Sequence, residues 1–287
     1  MSCKRKDVLN LQLVDFKTYE KDLIDGFVAS ARFLCQECCI YTSRELPYST
    51  QLIPMSVLFV LAKNHLFTAN GKKQLSRWYW CGIFGELYGG ANETRYVNDV
   101  VGFMDWINGG GEPNTIQRCN FSPMRLLTLV TRISAAYKGI NALILQNGAA
   151  DFISGKKMDF ASYADEKTDI HHIFPEDYCK KQGYPMELWN SVINKTPIYA
   201  RTNRIVQGDA PSKYLGRIIK NKQVDRADLN TYIGSHFIDE GSMWRDDFND
   251  HICKRATMLL DAIENATGKV VPGRDSQDVI NKFGQAI

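Results

Sequence analysis

The chain contains no run of about 18 uncharged apolar residues, the minimum for a membrane-spanning helix. Its best apolar stretch, Leu52 to Leu61, is too short and is followed by Lys63. No membrane association is therefore expected. The opening Met-Ser-Cys-Lys-Arg-Lys-Asp has no apolar segment behind its charges, so no secretory leader is expected. Charge of one sign is scarce as well: the net charge is only +3, which excludes a protein that coats nucleic acid along its whole surface. There is no Gly-x-x-x-x-Gly-Lys-Ser/Thr phosphate loop, no nucleophile elbow, no internal repeat and no low-complexity segment. The eight cysteines are scattered and point to reduced thiols in the cytoplasm. Cys35, Cys38 and Cys39 cluster, but no second pair or histidine follows at ligand spacing. Buried small side chains on a helix are the expected reading there, and a structural zinc site is the alternative.

What is present fits a globular protein. With 287 residues, 44% apolar and 23% charged, the chain can build one large or two ordinary domains around a sizeable core. Residues 9–41 have helical periodicity through Phe16, Tyr19, Leu23, Phe27, Ala31 and Leu34. Residues 52–67 form an apolar, buried helix, and residues 75–87 an aromatic-rich one ended by Gly89-Gly90. Residues 96–107 are a further helix, closed by Asn108 and three glycines, and residues 124–136 and 140–145 are helical or buried segments. No catalytic motif occurs in residues 1–150, which read as an α-helical domain.

The chemistry-bearing stretch lies in residues 151–287. Asp169-Ile170-His171-His172-Ile173-Phe174-Pro175 is a short β-branched and aromatic run that ends at a proline. Neighbouring strand residues face opposite ways, so His171 and His172 suit two different tasks, one as a metal ligand and one as a proton acceptor. A strand end with one satisfied core histidine is the competing explanation. Asn194 and Asn203 follow downstream, separated by the strand-like Thr196 to Tyr199. From Glu176 to Arg226 there are ten Lys/Arg against five Asp/Glu, a local balance of +5, which would suit a polyanionic substrate or mark a solvated helix face.

This pattern resembles the HNH, or ββα-metal, nucleases. The resemblance implies that His172 is the general base and that His171 occupies a metal-ligand position. It further implies that Asn203, at the start of the following helix, is the second protein ligand. Asn194 would tie the loop between the strands, and Arg204 would stand near the scissile phosphate. Asp169 shares the strand face of His171 and is read as a further ligand, as a group orienting that histidine, or as a solvated charge. Mg²⁺ is the expected cation because it needs few protein ligands, with Mn²⁺, Ni²⁺ or Zn²⁺ compatible with a histidine ligand.

A second resemblance extends over most of the chain, from about residue 40 onward. The segments Arg44-Glu45-Leu46-Pro47-Tyr48-Ser49-Thr50-Gln51-Leu52-Ile53-Pro54, Arg77-Trp78-Tyr79-Trp80 and Gly148 to Gly155 look like the helical part of GmrSD-type restriction proteins. Those proteins carry an N-terminal ParB-like nucleotide-binding domain with an Asp-Gly-Gln-Gln-Arg signature, which is absent here. The resemblance implies a DNA endonuclease directed at modified phage DNA, with the nucleotide-binding domain supplied elsewhere. It also places a helix start at Pro211-Ser212-Lys213-Tyr214-Leu215, with Ser212 as a cap and Lys213 as a phosphate contact or an exposed lysine. Arg255 lies on the closing helix of residues 248–266, either approaching substrate or paired with a carboxylate. His65, His236 and His251 are expected to be structural or exposed, and the tail after Gly268 to be partly loose. The expected fold is mainly α with a small α+β part: a helical domain over 1–150, then a ββα-metal core with flanking helices over 151–287. A non-catalytic DNA- or protein-binding module built on a degenerate nuclease domain is the alternative function.

Overall fold

The computed structural model of the protein describes residues 3–90, 92–165 and 168–287. Met1 and Ser2, which open the stretch read for a secretory leader, lie outside the described residues. Among the described residues the chain is mainly helical with one two-stranded sheet, as expected. It divides into two compact units, residues 1–120 with 265–269, and residues 121–264 with 270–287. The division falls at 120/121, not near 150. Residues 121–150 hold onto the sheet, because Leu129 accepts a hydrogen bond from the Val192 amide and Val130 accepts one from Lys195.

The regular elements among the described residues of the first unit are helices. α1 (Leu13–Cys38) buries nothing before Gly26. At Gly26 it meets α2 (Leu52–Leu61) so closely that an added Cβ would lie 2.5 Å from the Ser56 carbonyl oxygen. Ser30 stands one turn on and faces Ser56 across the same contact. The expected stripe is therefore only half covered: Phe33 and Leu34 are buried, whereas Phe16, Tyr19, Leu23 and Phe27 are exposed. Cys38 is fully buried and Cys39 ends the helix in the left-handed conformation. α2 stops at Leu61 because Ala62 leaves helical geometry (φ −115°, ψ 25°), so the single helix expected to residue 67 is two. Thr68 caps α3 (Ala69–Phe84) by accepting from the Gly71 amide. α3 buries Trp78, Tyr79 and Trp80 in a row. In α4 (Glu93–Ile107) the buried Asp99 carboxylate gathers the Tyr88 and Thr115 hydroxyls.

The second unit is built around β1 (Thr168–His172) and β2 (Lys195–Tyr199), which pair antiparallel with Asp169 opposite Ile198 and His172 opposite Lys195. α5 (Ala135–Gln146) precedes them. α6 (Ala200–Val206) follows β2 without a loop, which gives the ββα order. α7 (Pro211–Lys222) comes next, and α8 (Phe248–Thr267) supplies the buried row Ile252, Leu259, Leu260 and Ile263. Residues 124–136, expected to be helical or buried, form only a short turn at Arg125–Thr128 before α5 begins, and Leu126, Leu127, Leu129, Ala135 and Ala136 are buried. The tail is not loose. Helix Gln277–Phe283 buries Val279 and Phe283, and Arg274 and Ile287 exchange hydrogen bonds of 2.7 and 3.0 Å.

Two of the remaining histidines are structural. Both nitrogens of the buried His236 are used: Nε2 donates to the Ala150 carbonyl at 2.8 Å, so Nδ1 accepts from the Thr196 hydroxyl at 2.8 Å. The ring thereby ties the turn before Asp151 to β2. Burial pushes its pKa down to about 4; Arg255 adds to the shift, and the Ala150 carbonyl and Asp151 oppose it. His251 is also buried, 4.9 Å from the Phe174 ring, and is pushed well below its ordinary value by burial and then by Arg255. A histidine kept neutral in the fold but protonated in the unfolded chain costs nothing above pH 6.5. Stability is lost as pH falls from there toward the folded pKa, by about 3 kcal/mol for a shift of His236's size. Urea unfolding should therefore give a midpoint that is flat above pH 7 and declines between pH 6.5 and 4. His236→Gln should make that decline shallower; an unchanged slope would remove His236 from the account.

Candidate functional site

The site is assembled by the hairpin and the helix that follows it. Asn194 stands immediately before β2, fully buried. Its Oδ1 accepts from the Phe174 amide at 2.8 Å, and its Nδ2 donates to the carbonyls of Phe174 (2.8 Å) and Trp189 (2.9 Å). Its backbone carbonyl accepts from the Ile173 amide at 2.9 Å. One side chain thus closes the connection between the strands. Tyr214 of α7 adds a bond from its hydroxyl to the Ile173 carbonyl at 2.8 Å, which explains a tyrosine at that place after Pro211-Ser212.

The histidine pair diverges as strand geometry requires. His171 is buried, with its ring edge-on to Tyr214 at 6.1 Å, and its Nε2 has no hydrogen-bond partner. Burial pushes its pKa down to about 3; the neighbouring charge of His172 adds to the shift, and the Asn203 side chain opposes it. His171 and Asn203 are therefore brought together, from β1 and α6. His172 is half-buried, edge-on to Trp189 at 5.9 Å, with Nε2 3.4 Å from Asn190 Oδ1. Burial lowers its pKa and Lys195 lowers it further, against Asn190 and Glu176. Both rings are neutral at pH 7, as a ligand and a proton acceptor must be. Asp169 is half-exposed, on the strand face of His171.

An unpartnered buried imidazole nitrogen beside an amide side chain is a donor set that fits a divalent cation. Among the described residues no group of three or more His, Cys, Asp or Glu is disposed to hold a metal. Only two protein ligands, one of them an asparagine, are expected here, and the remaining positions would be left to water and phosphate oxygen.

Several expectations change. Asn203 is the fourth residue of a seven-residue helix, not its start. Ser212 caps nothing: its amide (2.8 Å) and hydroxyl (2.7 Å) both donate to the Asp246 carboxylate. Arg255 is neither a phosphate contact nor a partner of a carboxylate. It is fully buried, donating from Nη1 to the Ile193 carbonyl at 2.8 Å and from Nη2 to the His236 carbonyl at 3.3 Å. It braces the turn that presents Asn194. Arg204 is exposed on α6 and Lys213 on α7, together with Arg201, Lys220 and Lys222, so five cations of the basic segment reach solvent on these two helices. Lys180, Lys181 and Arg226 are exposed elsewhere in the segment, and the remaining two cations are used internally. Lys195 is buried, and Arg217 pairs with Asp209 and caps α6 by donating to the Val206 carbonyl at 2.7 Å.

Comparison with known proteins adds one relative. An uncharacterized protein of Methanocaldococcus jannaschii is 27% identical over 256 residues, which covers 84% of this chain and 43% of the relative. The chain thus spans less than half of that protein's length. No family model matches the chain.

Asn194→Ala would leave two carbonyls and an amide unpaired in the interior, each costing about 1–3 kcal/mol if it finds no water. Chemical unfolding should show a loss of at least about 2 kcal/mol. A loss under about 0.5 kcal/mol would contradict the clamp.

Proposed function

We propose that the protein is a metal-dependent DNA endonuclease of the HNH type, acting in the cytoplasm in modification-dependent restriction of phage DNA. The observation that carries this reading is the buried, unpartnered Nε2 of His171 beside Asn203, inside a ββα unit whose connection is closed by Asn194. An unpaired nitrogen alone does not mark a ligand, since His236 bonds through both ring nitrogens and the buried His251 through neither; the neighbouring Asn203 side chain distinguishes His171.

In this reading His171 and Asn203 would hold a hard divalent cation, Mg²⁺ or Mn²⁺, which would polarise the scissile phosphate and offset charge on the leaving oxygen. Asp169, on the same strand face, would orient His171 or join the ligands. His172 takes a proton from water, and the oxygen of that water forms the new bond to phosphorus as the bond to the 3′ oxygen breaks. The products carry a 5′-phosphate and a 3′-hydroxyl. Neutral at physiological pH, His172 is ready for that proton. Arg204 and Lys213, exposed on α6 and α7, supply charge to the DNA backbone. The resemblance to GmrSD-type proteins adds a ParB-like nucleotide-binding domain as a partner, on the same polypeptide or another.

Supercoiled plasmid incubated with Mg²⁺ or Mn²⁺ should be nicked by the wild type. His172→Ala should lower the rate by at least about 100-fold while leaving DNA binding intact. Cutting by that variant at the wild-type rate would contradict the assignment of the base. Wild-type protein that binds modified phage DNA and cuts neither DNA would instead favour a binding module on a degenerate nuclease fold.

A further inference from the structure

The group that orients His172 was not apparent in any sequence motif. Lys195 is the cross-strand partner of His172, and its buried ammonium donates to the Val130 carbonyl at 2.8 Å and to Asn190 at 2.8 Å. An ammonium has donors and no lone pair, so the atom of Asn190 that it meets is the carbonyl oxygen, Oδ1, and not the amide nitrogen. The same oxygen lies 3.4 Å from His172 Nε2. An amide oxygen only accepts, so in this contact Nε2 carries the proton and Nδ1 keeps its lone pair. The Trp189 ring packs edge-on to the imidazole at 5.9 Å.

We propose that Asn190, itself locked by Lys195, is a positioning residue that holds His172 as the Nε2–H form and presents Nδ1 to the water that is to be deprotonated. This inference rests on the reading of His172 as the base and adds which atom acts and what aims it. Sequence position explains the arrangement: Asn190 sits at the end of helix Met186–Trp189, whose last carbonyl Asn194 holds, so the clamp that closes the hairpin also delivers Asn190 to the histidine. Val130 fixes the lysine from the segment before α5, so the ammonium that holds Oδ1 is itself held.

Two measurements on the intact protein test this. Nitrogen-15 NMR of the neutral His172 ring should show Nε2 as the protonated nitrogen in the wild type, with slow exchange of its proton. Asn190→Ala should speed that exchange by at least about tenfold. A wild-type ring protonated at Nδ1 would overturn the proposal whether or not the protein cuts DNA. Single-turnover cleavage should fall by about 10–100-fold in Asn190→Ala with DNA affinity unchanged. Asn190→Asp, which keeps an acceptor oxygen for both His172 and Lys195, should recover most of that loss. Equal rates in Asn190→Ala and wild type, or equal losses in the Ala and Asp variants at matched thermal stability, would refute it. A wild type that is Nε2-protonated yet cuts nothing would count against the nuclease reading and not against the orientation of the ring.

Discussion

The hydrogen bonding of one buried amide decides the geometry of the site. Asn194 bonds with its side chain to both backbone groups of Phe174 and to the carbonyl of Trp189, and with its own carbonyl to Ile173. These bonds bring the exit of β1, the intervening short helices and the start of β2 to one point. The register follows, with His172 opposite Lys195 and His171 opposite Thr196. Because a one-residue slip in a strand would exchange the two faces, this clamp also decides which histidine meets Asn203 and which meets Asn190. A bond set of this kind tolerates no isosteric apolar replacement, since every group it satisfies is buried.

Around the clamp, the chain spends its buried polar groups on bracing. Arg255 carries a guanidinium into the interior to hold the Ile193 carbonyl, and burial alone pulls its pKa down to about 9. His236 ties β2 to the Ala150 turn, Tyr214 holds Ile173, and Arg217 closes the end of α6. The Nε2 of His171 has no such partner, a condition it shares with both ring nitrogens of His251 and with the Nε atoms of Arg217 and Arg255; what sets His171 apart is Asn203 beside it.

The sequence carried much of this, unevenly. The strand pair, the helix after it and the meeting of His171 with Asn203 were legible because their spacing is local and strand periodicity sorts adjacent side chains. The role of Arg255 was not legible: a charged residue on an amphipathic helix gives no sign that its partners are two carbonyls rather than a carboxylate or a phosphate. Ser212 looked like a cap because serine before a helix usually is one, but Asp246, far along the chain, takes both its donors. Periodicity in α1 identified a helix correctly and could not say what lies against it, so Phe16 and Phe27 are exposed while Phe33 is buried. Asn190 and Lys195 formed no recognisable pattern, since their common target is defined only by the strand register.

The central claim is that His171 and Asn203 form a cation site. Calorimetric titration of Mn²⁺ into the metal-free protein, wild type beside His171→Ala and Asn203→Ala, tests it without requiring a DNA substrate. The account predicts one site in the wild type, lost in His171→Ala and weakened at least about tenfold in Asn203→Ala. Equal affinity in all three proteins, or no binding to the wild type, would contradict it.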